Sequence, residues 1–164
     1  MMSRQPSSSS GGSEAQAKEH CLRLLTSRSY TSAELGAKLK ARGYEASVAA
    51  NAINRLTEVG LVDDHAYAQR FVRSRSEHRG RRVIALELKR KGVAEADAEE
   101  AVAQVSDRDE REVAAELVRK ITRRDGVPDD DAGRIKVKRR ALGMLARRGF
   151  DVGLAMDVVR SEIG

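Results

Sequence analysis

One short phrase is written three times in this chain: LKARGY at 39–44, LKRKGV at 88–93 and LARRGF at 145–150. Each copy opens on leucine, runs through a basic cluster to a glycine and lands on an apolar residue. The glycines, Gly43, Gly92 and Gly149, are separated by 49 and then 57 residues. A glycine just past a helix end takes the left-handed conformation that closes the last turn. The residues before it, Arg42, Lys91 and Arg148, complement the negative end of the helix dipole. The phrase is first a helix stop, and its recurrence reads as a tandem repeat of one helical unit.

The flanking apolar spacing supplies the rest of that unit. Before Gly43, Leu35 and Leu39 stand one turn apart, and Thr31 with Glu34 has the spacing of a capping box. An earlier helix carries Ala17, Cys21, Leu24 and Leu25, and a later one Val48, Ala49, Ala52, Ile53 and Leu56. The second copy places Tyr67, Phe71 and Val72 on a helix capped by Asp63 or Asp64. Ile84 and Leu88 then precede Gly92, and Ala98, Ala101, Val102 and Val105 follow it. The third is looser: Ala114, Leu117, Val118 and Ile121, then Ile135, Leu142 and Leu145, then Leu154, Val158 and Val159. DGVPDDDAG at 125–133 reads as an exposed acidic loop and accounts for the longer second spacing.

The expectation is an all-α chain of three three-helix repeats, 16–62, 63–106 and 107–164, stacked into an elongated, curved solenoid. A Ser/Gly-rich tail precedes them at 1–15. With 2 prolines, no Trp and 3% aromatic residues, a sandwich or barrel is disfavoured. The single cysteine excludes an internal disulfide, and the absence of any apolar run of membrane-spanning length predicts a soluble, cytoplasmic protein.

Charge separates the repeats further. Residues 70–92 hold nine Lys or Arg against Glu77 and Glu87, and residues 134–148 hold seven and no acid, a local +7 in each. A helix stop needs one or two cations, so the surplus points to a polyanion-facing surface. Its candidates are Arg73, Arg75, Arg79, Arg81, Arg82, Lys89, Arg90 and Lys91, with Lys136, Arg140, Arg147 and Arg148. On a helical wheel Lys136, Arg140, Gly143 and Arg147 share a stripe turned from Ile135, Leu142 and Leu145, and Gly143 would let a partner's backbone approach. Arg79, Arg81 and Arg82 lie outside the apolar pattern, so charge reversal there is expected to leave the helices intact.

A helix-turn-helix reader of DNA is the alternative, with Asn51, Asn54 and Arg55 on the helix after the first turn. The matching helix of the second repeat carries Glu95, Asp97, Glu99 and Glu100, which would face phosphates, so a tandem of sequence readers is disfavoured. A plain interaction scaffold is a further alternative. His20, His65 and His78 lack metal-ligand spacing, and no phosphate-binding glycine loop or catalytic set occurs, so neither an enzyme nor a cofactor is expected.

Three ordered stretches resemble the RecX family, bacterial regulators of the RecA recombinase. TSAELGAKLKARG at 31–43 is similar to its Ser-x-x-Glu-Leu-x-x-Lys-Leu segment through Thr31, Glu34, Leu35, Lys38 and Leu39. GLVDDHAYAQRFVRSR at 60–75 resembles its Gly-Leu-Leu-Asp-Asp segment with an aromatic-Ala pair. GRRVIALELKRKGV at 80–93 matches Gly-x-x-x-Ile-x-x-Glu-Leu-x-x-Lys-Gly through Gly80, Ile84, Glu87, Leu88, Lys91 and Gly92. The resemblance covers about residues 17–164 and is weakest in the third repeat. It implies a monomer that lies in the groove of the RecA–DNA filament and touches single- and double-stranded DNA through the phosphate backbone. Such a protein inhibits ATP hydrolysis, strand exchange and co-protease activity, and so modulates DNA repair and the SOS response.

Overall fold

The structure is a computed structural model in which residues 12–164 are described. Among them the chain forms nine α-helices and no strand. It divides into two compact units, one ending at Tyr67 and one running from Ala68 to Gly164.

In the first unit, α1 (Glu14–Ser27), α2 (Ser32–Ala41) and α3 (Ala46–Glu58) pack around one apolar cluster. The leading tail expected at 1–15 is cut short at its end, and its first eleven residues lie outside the described ones. Ser13 accepts from the Gln16 backbone N–H while the Gln16 side chain accepts from Ser13 N–H, and this reciprocal cap starts α1 at Glu14. Thr31 and Glu34 form the same box at α2. Ala17, Cys21, Leu35, Leu39, Ala49, Ala52, Ile53 and Leu56 are all buried. Cys21 belongs to this core, where burial pushes its thiol pKa up and keeps it inert.

The two aspartates at the start of α4 (Asp64–Arg75) divide their work. Asp63 accepts from the Ala66 N–H at 2.9 Å and caps its own helix. Asp64 instead reaches back 32 residues, accepting from Ser32 N–H at 2.8 Å and from the Ser32 hydroxyl, so it closes the half-buried start of α2.

The second unit continues with α5 (Arg81–Arg90), α6 (Glu95–Ala103), α7 (Asp107–Asp125), α8 (Asp131–Arg147) and α9 (Val152–Ile163). Helix α9 packs on both α7 and α8, burying Ala114, Leu117, Val118, Ala141, Leu145, Phe150, Val158 and Val159. Three expectations are corrected here. Helix α6 stops at Ala103, so Val105 lies beyond it. The acidic loop shrinks to 126–130, because the Asp130 side chain accepts from Gly133 N–H at 2.7 Å and begins α8 at the next residue. Ile135 is 55% exposed, and the core seam of α8 runs instead through Ala141 and Leu145.

The recurring phrase has one geometry throughout. Gly43, Gly92 and Gly149 have φ of +88°, +76° and +86°. Each glycine N–H donates to the carbonyl three residues back, and the next N–H (Tyr44, Val93, Phe150) donates to the leucine carbonyl at 3.1–3.2 Å. This double closure needs a left-handed residue and seats the leucine and the apolar residue against each other. A fourth instance closes α3, where Gly60 has φ +76° and Leu61 N–H donates to Leu56 at 2.9 Å. Its lead-in, Thr57-Glu58-Val59, carries no cation, so a search keyed on the basic cluster passes over it.

Candidate nucleic-acid interface

In the second unit, one backbone closure organises the basic side chains. Gly80 N–H donates to the Arg148 carbonyl at 2.8 Å, and the Arg148 guanidinium donates to the His78 carbonyl at 3.1 Å. The two segments touch backbone to backbone there: a side chain on Gly80 would collide with the Gly149 carbonyl, and one on Gly149 would lie 2.5 Å from Val83 Cβ. Glycine at both positions permits the approach. It holds the end of α8 against the turn that follows α4.

Between those two ends and the middle of α7 lies a recess of about 740 Å³. It is lined by Arg75, His78 and Arg79 from the end of α4 and its turn, Arg147 and Arg148 from the end of α8, and Leu117 and Lys120 from α7. Glu77 is the acid on its rim, and it lies 4.0 Å from His78 Nε2. A neighbouring recess shares Lys120, Arg147 and Arg148 and adds Arg124 and Arg140. Among the described residues Arg147 and Lys120 make no ion pair within 4 Å, although Lys120 is close enough to Glu116 to help hold its carboxyl below the ordinary value, after the hydrogen bond from Arg123. Together the recesses form a basic cleft with room for more than one phosphate group, on a scaffold of three helices.

The twelve sequence-predicted cations do not fall in one place. Arg75, Arg79, Arg147 and Arg148 meet in the cleft, and Arg140 stands beside it, paired with Asp125. Arg73 lines a separate recess with Val72, Gln104 and Asp109. Lys89 and Arg90 are exposed at the end of α5, Lys91 lies 5.6 Å from the Phe71 ring centre, and Lys136 is exposed on α8.

One of the twelve is bound to a buried carboxylate of the fold. Arg81 donates from its backbone N–H to Glu110 Oε1 at 2.8 Å and from Nε to Glu110 Oε2 at 2.7 Å. Its terminal nitrogens reach Asp107 and the Val105 carbonyl. Glu110 is 4% exposed, so this arginine neutralises a buried carboxylate. Arg82 pairs with Asp151 at 2.7 Å on the surface. The expectation that charge reversal at Arg79, Arg81 and Arg82 leaves the helices intact therefore needs revision at Arg81, whose loss would strand the buried Glu110. At Gly143 a guanidinium nitrogen of Arg147, the mobile end of an exposed side chain, stands 3.2 Å from where a side chain would begin.

Sequence reading missed Lys120 and Arg124. Both sit on α7 among Glu112, Glu116 and Asp125, so local charge counting cancels them. Glu110 was also missed. The available signal was its place four residues after Ser106, in the first turn of a helix, where a carboxylate can cap a neighbouring helix as readily as its own.

The chain as a whole is similar to known proteins. Residues 17–56 match the family model described as RecX, first three-helix domain, and residues 63–102 the one described as RecX, second three-helix domain. Curated relatives include the regulatory protein RecX of Mycobacterium sp. (strain JLS), 47% identical over 152 residues, covering 92% of this chain and 83% of the relative. That of Mycolicibacterium smegmatis is 47% identical over 155 residues, covering 92% and 81%. Among solved structures, RecX from Lactobacillus salivarius superposes with a TM-score of 0.77 at 23% identity, covering 91% of this chain and 96% of that one. A second, a crystal structure of regulatory protein RecX, gives 0.74 at 26% identity, covering 91% and 72%.

Proposed function

This chain belongs to the RecX family, and on that premise we propose that it regulates a RecA-type recombinase by docking on the recombinase–DNA filament as a monomer in the cytoplasm. There it inhibits ATP hydrolysis, strand exchange and co-protease activity, and so tempers DNA repair and the SOS response. The cleft formed by α4, α7 and α8 takes the phosphate backbone of the filament's nucleic acid, with Lys120, Arg147, Arg148, Arg75 and Arg79 as its contacts. The observation that carries the phosphate contact is convergence: cations from three helices distant in sequence line one recess, with a single acid on its rim among the described residues.

The contacts are of a kind that reads charge and not sequence. Among the described residues no Asn or Gln lines the cleft, and a guanidinium or ammonium on a phosphate carries no base information. The helix-turn-helix alternative finds less support. Arg55 on α3 donates to Glu14 at 3.1 Å, and α6 carries Glu95, Asp97, Glu99 and Glu100.

Pull-down with purified recombinase, with and without single-stranded DNA and nucleotide, tests the reading. Capture that strengthens when the filament is assembled supports it. Sequence-selective shifts of duplex DNA without recombinase would favour the alternative. Within the reading, Lys120→Glu with Arg147→Glu should weaken filament binding about tenfold or more at low salt and flatten its salt dependence, since each lost phosphate contact removes ~0.7 from the log–log slope.

A further inference from the structure

One acid stands behind the cleft with no hydrogen bond to explain it. Glu87, in the middle of α5, points a buried carboxylate oxygen, Oε2, that accepts nothing among the described residues. Its nearest cations are Arg75, whose Nε lies 3.5 Å from Oε2, and Arg79, whose Nη1 lies 3.7 Å from Oε1. At those separations the contacts are ion pairs without hydrogen bonds. A carboxylate oxygen buried this way, on a side chain still 22% exposed, is compensated by charge alone and not by a hydrogen bond. The arginines themselves are half-exposed and belong to the recess. Arg75 lies 5.2 Å from the Phe71 ring centre, which with Glu87 limits where its guanidinium can swing.

We infer that Glu87 is a built-in counter-ion that throttles the cleft: it cancels part of the charge of Arg75 and Arg79, and a polyphosphate strand must compete with it for them. The inference rests on the phosphate-binding reading of the cleft and adds its regulation. Because the pairs are long, the arginines can turn toward a phosphate without first breaking a hydrogen bond, so Glu87 lowers affinity while leaving the site open. A contact that merely held the fold together would be short and saturated, as the bonds of Arg81 to Glu110 are.

The test is fluorescence anisotropy of the full chain with a labelled thymidine oligonucleotide, without recombinase, competed with inorganic polyphosphate. Glu87→Gln keeps the shape and removes the charge. It is expected to tighten binding at least about threefold at low salt and to steepen the salt dependence, because two arginines then present their full charge. Lys120→Glu with Arg147→Glu should lose binding. Equal or weaker binding by Glu87→Gln, with the parent still binding and unfolding at the same temperature, overturns the counter-ion role and leaves the cleft intact. Absence of binding by the parent and Glu87→Gln alike removes the cleft reading and the throttle with it.

Discussion

The left-handed glycines are chemically alike but sit in different surroundings, and that difference can be measured. Alanine at Gly43 meets nothing within 4 Å, so Gly43→Ala should cost about 1 kcal/mol, the penalty of the left-handed backbone alone. Alanine at Gly149 meets Val83 at 2.5 Å on Cβ and 2.6 Å on its backbone nitrogen. Gly149→Ala should therefore lower the unfolding temperature clearly more than Gly43→Ala, and equal shifts would contradict the close approach of α5 and the end of α8. At Gly92, valine should destabilise by about 1–2 kcal/mol and asparagine by less, because asparagine tolerates positive φ. These closures were legible in the sequence because both partners, leucine and glycine, lie within one turn of each other. The contact between Gly80 and Gly149 was not, since it joins residues far apart in the chain and nothing local marks it.

Between elements, carboxylates at the start of one helix close the start of another. Asp64 on α4 does so for α2 through Ser32, and Glu110 on α7 does so for α5 through Arg81. Reversal at Arg81 would leave Glu110 buried beside a second negative charge, a loss of about 3 kcal/mol, at the low end for a broken buried pair because Arg81 is partly exposed. Arg81→Glu should thus show reduced helicity or an early melting phase, while Lys136→Glu, at an exposed position of α8, keeps the parent's melting curve. Matching curves would show that the Arg81–Glu110 bonds contribute little. The side chain of Asp151 accepts from the backbone N–H groups of Gly153 and Leu154, and with Arg82 nearby its pKa falls below the ordinary carboxylate value. A depressed folded-state pKa means this stabilisation of α9 is present above the unfolded pKa and is lost as pH falls through the folded one. Asp151→Asn should narrow the stability difference between neutral and acid pH, which melts at several pH values would reveal. Helix number and order were legible from apolar period. The exposure of Ile135 was not: it lies six residues before Ala141, off the seam, and an apolar residue in the first turns of a helix has no periodic neighbour upstream to fix its face.

At the scale of the molecule, the basic stretches seen in sequence are raw material for the site, and packing selects among them. Arg75, Arg79, Arg147 and Arg148 are gathered, Arg81 is spent on Glu110, and Lys120 is recruited from a helix whose acids hide it in any local charge count. Sequence could nominate charge but could not say which charges would be internally balanced, because balance is settled by tertiary neighbours. The central claim is that this cleft helps a RecX-family chain restrain the recombinase. It is tested most directly by the single-stranded-DNA-dependent ATPase of a RecA-type recombinase titrated with the parent chain and with the Lys120→Glu, Arg147→Glu double variant. The account predicts that the parent suppresses ATP hydrolysis and that the variant, equally folded, needs about tenfold more protein or higher to do so. A variant that inhibits as well as the parent at matched salt would contradict the role of the cleft, and a parent that leaves hydrolysis untouched would contradict the account as a whole.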